Sequence, residues 1–185
     1  MQPRSPLPVR GYHGTSRAAA DDILREGFRP SANSYDWLGT GIYFWQDAPR
    51  RAREWAEANH SASPAVLEAT IDLIDCLDLL DVGWQGAMQR AHTEFVAQRV
   101  RTGEPLPRQT SGAHRLDTAM LNLFVGVLEQ EGATIRSVRA PFAEGGPVFP
   151  RSALSLRGHV QIAVRDRSVI LDVHAVDWSA IPHDH

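Results

Sequence analysis

Five side chains have the type and setting to bind or transform a small polar ligand: His13, Tyr43, Trp55, Glu144 and Gln161. His13 belongs to the tetrapeptide Tyr12-His13-Gly14-Thr15. Gly14 lacks a Cβ, so a ligand can approach the backbone there and pair with its N–H and C=O. Tyr43 lies in the aromatic run Gly41-Ile42-Tyr43-Phe44-Trp45, and Trp55 follows it by twelve positions. Two such rings can sandwich a flat group, offset stacking adding about 0.5–1.5 kcal/mol beyond burial. Gln161 is a neutral hydrogen-bonding group in His159-Val160-Gln161-Ile162-Ala163-Val164, and Glu144 is a carboxylate in the glycine-rich loop Ala143-Glu144-Gly145-Gly146-Pro147. Taken singly these are ordinary residues, since most strand-end histidines are surface or satisfied core and most lone aromatics are core. Order and spacing carry the argument.

The elements that must hold these side chains follow from capping and periodicity. Pro8 to His13 reads as a short strand; Ser16 as an N-cap and Gly27 as a stop delimit a first helix, so the tetrapeptide sits at a strand-to-helix junction. A polar loop from Phe28 to Gly39 leads into a strand at 41–45, and a second helix is expected with Asp47 as its cap and Pro49 in its first turn. Ala65 to Leu73 reads as a strand, Trp84 to Arg101 and Leu116 to Gln130 as helices, and Thr134 to Arg139 as a strand. The connector from Thr102 to His114 is expected to lie on the surface and to be mobile. After the Gly- and Pro-rich stretch 141–155, Gly158 to Val164 and Val169 to Val176 read as a β-hairpin turning at 165–168. Strands at both ends around a helical middle give an α+β domain, one unit over 1–185, without internal repeats.

Composition excludes several classes. No apolar run approaches the ~18 residues of a membrane span. Met1 to Arg10 has no apolar core for a signal or transit peptide, so a soluble, cytoplasmic protein is expected. The single cysteine, Cys76, sits in an apolar stretch and reads as a small buried thiol, and the histidines lack metal-ligand spacing, so no metal is expected. Net charge is −3, with no global pull toward nucleic acid. Locally, Glu68, Asp72, Asp75, Asp78 and Asp81 form an acidic stretch, while Arg136, Arg139, Arg151, Arg157, Arg165 and Arg167 make the segment 136–167 basic, a face suited to phosphate.

Tyr12-His13-Gly14-Thr15, Gly27-Phe28-Arg29-Pro30-Ser31, then Tyr35-Asp36-Trp37-Leu38-Gly39-Thr40-Gly41-Ile42-Tyr43-Phe44, and the spaced Trp55 resemble the NAD-binding half of ADP-ribosyltransferases of the diphtheria-toxin and poly(ADP-ribose)-polymerase type, the histidine-tyrosine-glutamate class. The likeness is close over the first third of the chain and rests on order and strand context thereafter; residues 66 to 135 carry no motif of the class. It implies an ADP-ribosyltransferase-like fold with a split, mostly antiparallel sheet, and NAD as co-substrate. It also implies NAD contacts from His13, Gly14, Thr15, Tyr43, Phe44 and Trp55: His13 on a ribose hydroxyl, the Gly14 backbone on the carboxamide, Tyr43 and Trp55 around the nicotinamide.

The third catalytic position departs from the class, with Gln161 where the family has glutamate. A glutamine can hydrogen-bond the ribose but cannot set a negative charge beside an oxocarbenium-like transition state. Either catalysis is slower or another carboxylate substitutes, and Glu144 is the candidate, against its alternative as a solvated loop residue. His13, Tyr43, Gln161 and Glu144 are thus the expected catalytic set. Family members without the glutamate are mono-transferases, which implies a mono-ADP-ribosyltransferase acting on a macromolecule, in the manner of a bacterial toxin or defence effector with an antitoxin or immunity protein as partner. Protein is the commoner acceptor; a nucleic-acid acceptor and an inactive NAD- or ADP-ribose-binding module are the alternatives.

Overall fold

The computed structural model describes residues 8–31, 33, 36–110 and 112–181. Tyr35 of the third motif, Ser34, Ser111 of the connector and the N-terminal reading of residues 1–7 lie outside the described residues.

In chain order the elements are β1 (Val9–Ser16), α1 (Arg17–Glu26), β2 (Ile42–Gln46), α2 (Pro49–Asn59), β3 (Pro64–Ile71), β4 (Cys76–Asp78), α3 (Gln85–Thr102), β5 (Gln109–Thr110), β6 (Ala113–His114), α4 (Arg115–Gln130), β7 (Ser137–Phe142), β8 (His159–Val164) and β9 (Ile170–Ala175). The fold is α+β. Seven strands form one sheet in the order β4-β7-β8-β2-β1-β3-β9, antiparallel except for the parallel pair β4 and β7. No helix of the described residues is long and apolar enough to cross a membrane.

Strand alternation sorts the core into three packed groups. On one face Phe44, Leu67, Ile71, Ile162 and Val164 pack under α1 with Phe28. On the other face α4 covers β7 and β8 through Leu121, Phe124, Val125, Val138 and Ala163. The same face carries α2 over β1 and β3, through Tyr12, Trp45, Ala52 and Val66. Between α2 and α4 the sheet is left open.

Local signals placed α1 correctly: Ser16 Oγ accepts from Ala19 N–H at 3.2 Å, and Gly27, at φ 83°, ends the helix by donating to Ile23 O. Three expectations are corrected. Asp47 does not cap α2; it stands at φ 50°, Ala48 holds the cap position without a side-chain bond, and Pro49 opens the helix. The strand expected at 134–139 runs over Ser137–Phe142. Most consequentially, β8 and β9 are not a hairpin: β8 lies between β7 and β2, and β9 pairs with β3 at the far edge. The connector crosses the sheet end because Arg136 O takes the N–H of both Arg165 and Asp166, and Val169 is buried beyond it. The 102–114 connector is largely exposed, and contains the β5–β6 ladder that its composition did not reveal. Cys76 is half-buried against the α1-side core, with burial raising its thiol pKa.

Candidate functional site

β1 pairs with β3 at eight positions and β2 with β8 at five, but β1 and β2 meet only at Gly11↔Gln46 and Tyr12↔Trp45. Beyond those pairs the two strands part, and a cleft of about 350 Å³ opens at the split. All eight residues expected from the sequence to touch a ligand or do chemistry line this cleft: His13, Gly14, Thr15, Tyr43, Phe44, Trp55, Glu144 and Gln161.

The register explains how they meet. Trp45 lies opposite Gln161 and Tyr43 opposite Ala163, so Tyr43, Trp45 and Gln161 share the face that α2 and α4 flank. His13 and Phe44 alternate to the opposite face, beside Phe28. They reach the cleft because the sheet is parted there. His13 Nδ1 donates to Tyr43 O at 2.9 Å, replacing a missing rung between the diverging strands. A carbonyl only accepts, so Nδ1 carries the proton and Nε2 is left as an acceptor. Burial, and to a lesser degree the charge of nearby His60, hold the His13 pKa below its ordinary value against the Tyr43 hydrogen bond, so the ring is neutral near pH 7.

Tyr43 works through its ring and carbonyl. Its hydroxyl donates to Gly39 O at 2.7 Å and accepts from Leu38 N–H at 2.8 Å, and burial raises its pKa. Phe44 is fully buried in edge contact with Phe28 and forms the floor. Trp55 is half-buried on α2, its ring 6.0 Å from that of Trp45 and 5.5 Å from His60. Gly14 has a structural reason to be glycine: a Cβ there would sit 2.1 Å from Ala52 O, so its bareness seats α2 against β1.

Glu144 is held in place. Its carboxylate accepts from Arg51 Nη2 at 2.6 Å; Arg51 also pairs with Glu54, and Arg157 approaches Glu54 at 3.7 Å. The loop after Glu144 is laced as a β-like hairpin by Arg157 N–H to Glu144 O, Leu156 N–H to Gly146 O and Val148 N–H to Leu154 O. These bonds order the glycine-rich stretch and fix the position of Glu144.

Several lining residues escaped the sequence reading. Trp37 Nε1 donates to Gln161 Oε1 at 2.7 Å. Asp36 is buried, accepts from Ser31 Oγ at 3.0 Å and from Asn33 N–H, and is pushed up in pKa by burial. Glu144 and Asp36 are the two carboxylates lining the cleft among the described residues. Loop 36–40 is pinned by α4, through Thr118 Oγ1 to Asp36 O at 3.0 Å and Thr40 N–H to Asn122 Oδ1 at 3.1 Å. Trp45 Nε1 and Arg51 Nε, both on lining residues, are buried donors with no partner among the described residues. Among the same residues no group of three or more His, Cys, Asp or Glu side chains could hold a metal ion. The chain matches no protein-family model, and no curated protein matches it.

Proposed function

We propose that the chain is an NAD-dependent mono-ADP-ribosyltransferase whose catalytic centre is the cleft between β1 and β2. The observation that carries this reading is the convergence, at the split, of His13, Tyr43, Trp55, Gln161 and Glu144 from four separate elements and one loop. The cleft suits a partly planar ligand, with aromatic walls from Tyr43, Trp45 and Trp55. Tyr43 and Trp55 make no ring contact with each other and flank space for the nicotinamide; His13 Nε2 accepts from a ribose hydroxyl. Gln161 hydrogen-bonds the nicotinamide ribose, and Glu144, held by its ion pair with Arg51, supplies the negative charge that the glutamine lacks.

The acceptor is a protein rather than a nucleic acid. Four of the six arginines of the basic segment are paired with carboxylates within the fold: Arg136 with Asp75 and Asp166, Arg139 with Asp78, Arg157 with Glu54, and Arg165 with Glu129. Beside the cleft, the 147–156 hairpin instead exposes Phe149, Leu154 and Leu156, an apolar surface suited to protein contact. A toxin or defence effector, restrained by an antitoxin or immunity protein, is the biological setting that fits such an activity. Labelled NAD incubated with total lysate, followed by protease or nuclease digestion and by assay of nicotinamide release, tests the reading. Protease-sensitive label with nicotinamide release supports it; nuclease-sensitive label reassigns the acceptor; NAD binding without release leaves a binding module.

A further inference from the structure

Gln161 is held from both ends by groups that dictate which end is which. The Trp37 indole can only donate, so the atom 2.7 Å from its Nε1 is the amide oxygen. On the other side, His159 Nδ1 lies 2.7 Å from Arg157 O and must carry the proton, which makes His159 Nε2 an acceptor; the group 2.9 Å from it is the Gln161 amide nitrogen. The two constraints agree. One lone pair of Oε1 and one N–H of Nε2 remain for the cleft, with their positions fixed.

We propose that Trp37 and His159 are positioning residues that lock the Gln161 amide in a single orientation, and that the charge on His159 switches this lock. A protonated imidazole turns its Nε2–H toward the amide N–H. Rotating the amide to satisfy it would turn that N–H against the Trp37 indole donor. No orientation of a glutamine satisfies both, so protonation releases the side chain and disorders the donor–acceptor pair offered to a ligand. The groups facing His159 are Arg51 and Glu54 from α2 and Glu144 from the loop after β7, while β2 and β7 present the uncharged rings of Trp45 and Phe142. Burial dominates and, with Arg51, outweighs the Arg157 carbonyl and the two carboxylates, keeping His159 neutral and the lock closed near pH 7. The arrangement also explains why position 161 is an amide: a carboxylate there would face the His159 lone pair unless His159 took up a proton.

Ring-nitrogen correlations of the ¹⁵N-labelled full chain read the lock directly. The expected result is the Nδ1–H tautomer of His159, titrating below about 6.5, with an apparent pKa raised by at least about one unit, a tenfold gain in proton affinity, in Gln161→Glu. An Nε2–H tautomer in the parent, or a His159 titration unmoved by Gln161→Glu, overturns the proposal. A second arm rests on the proposed NAD site. His159→Gln offers an acceptor oxygen that does not titrate, so it should keep neutral-pH NAD affinity and lessen the acid-side loss shown by the parent, the remainder following protonation of His13; an unchanged acid-side loss would also overturn the switch. If the NMR results hold while NAD fails to bind at any pH, the positioning stands and the assignment of NAD falls.

Discussion

His13 and Tyr43 are joined across the point where their strands part, by a side-chain donor at 2.9 Å from a backbone carbonyl. The imidazole keeps the sheet continuous in energy while leaving it open in space. Its ring is also packed edge-on against Phe28 at 5.2 Å.

His13→Ala should therefore cost stability as well as ligand affinity: about 1–3 kcal/mol from a half-buried carbonyl losing its donor and from lost packing. His13→Asn, whose amide can still reach toward the carbonyl, should recover part of the stability and little of the NAD affinity. Urea unfolding and calorimetric titration separate the two effects. Parental NAD affinity in both variants would remove His13 from the site.

Acid should weaken the fold through two half-buried histidines. His13 and His159 are both held below the ordinary histidine pKa, chiefly by burial. Between the folded and unfolded values the native state binds fewer protons, so stability is full above about pH 6.5 and falls as pH drops through the folded values. Urea midpoints at about pH 7.5 and pH 5.5 should differ in that direction, and the His13→Asn variant should show a smaller difference, its other titrating groups being shared with the parent. A parent more stable at the lower pH would contradict neutral burial of these rings.

Sequence reading reached what is decided locally and missed what long-range pairing decides. Ser16 and Gly27 bound α1 through bonds within one turn, and the order of the His13 and Tyr43 motifs located the cleft. The β8–β9 hairpin failed because a four-residue polar connector has the chemistry of a turn, whereas strand order was set by which strand edges needed covering. Trp37 could not be linked to Gln161, 124 residues away, nor Arg51 to Glu144, 93 away, since neither pair leaves a periodic trace. The acidic and basic stretches were visible, but not that Asp75 and Asp78 neutralise Arg136 and Arg139 across the only parallel pair of the described sheet.

Gly14→Ala tests whether α2 is seated by that glycine. The added methyl meets Ala52 O at 2.1 Å, backbone that yields only if the helix moves, so a loss of about 1–3 kcal/mol is expected, with Trp55 displaced. Gly126→Ala is the control: it lies in the interior of α4 with nothing within 4 Å of a Cβ, and should gain about 0.5–1 kcal/mol. Equal stability of the two variants would show that α2 does not press on Gly14.

The catalytic roles proposed for Gln161 and Glu144 are separable by charge. Gln161→Ala removes the partner of Trp37 and His159 and the hydrogen bond to the ligand, and should abolish transfer. Gln161→Glu restores a carboxylate beside the developing positive charge, so NAD hydrolysis should persist or rise, while transfer to an acceptor that requires an amide should fall. Glu144→Gln keeps a side chain that can still accept from Arg51 but deletes the charge, and should lower nicotinamide release by roughly 10–100-fold if this carboxylate faces the reacting ribose. In the double variant carrying Gln161→Glu and Glu144→Gln the restored carboxylate should rescue hydrolysis toward the parental rate, since the site then holds one anion again in a different place. Nicotinamide release measured across the parent and the four variants decides the matter. Near-parental rates in both Gln161 variants would make Gln161 a sheet residue only, and a double variant no faster than Glu144→Gln alone would show that the two positions do not serve one charge.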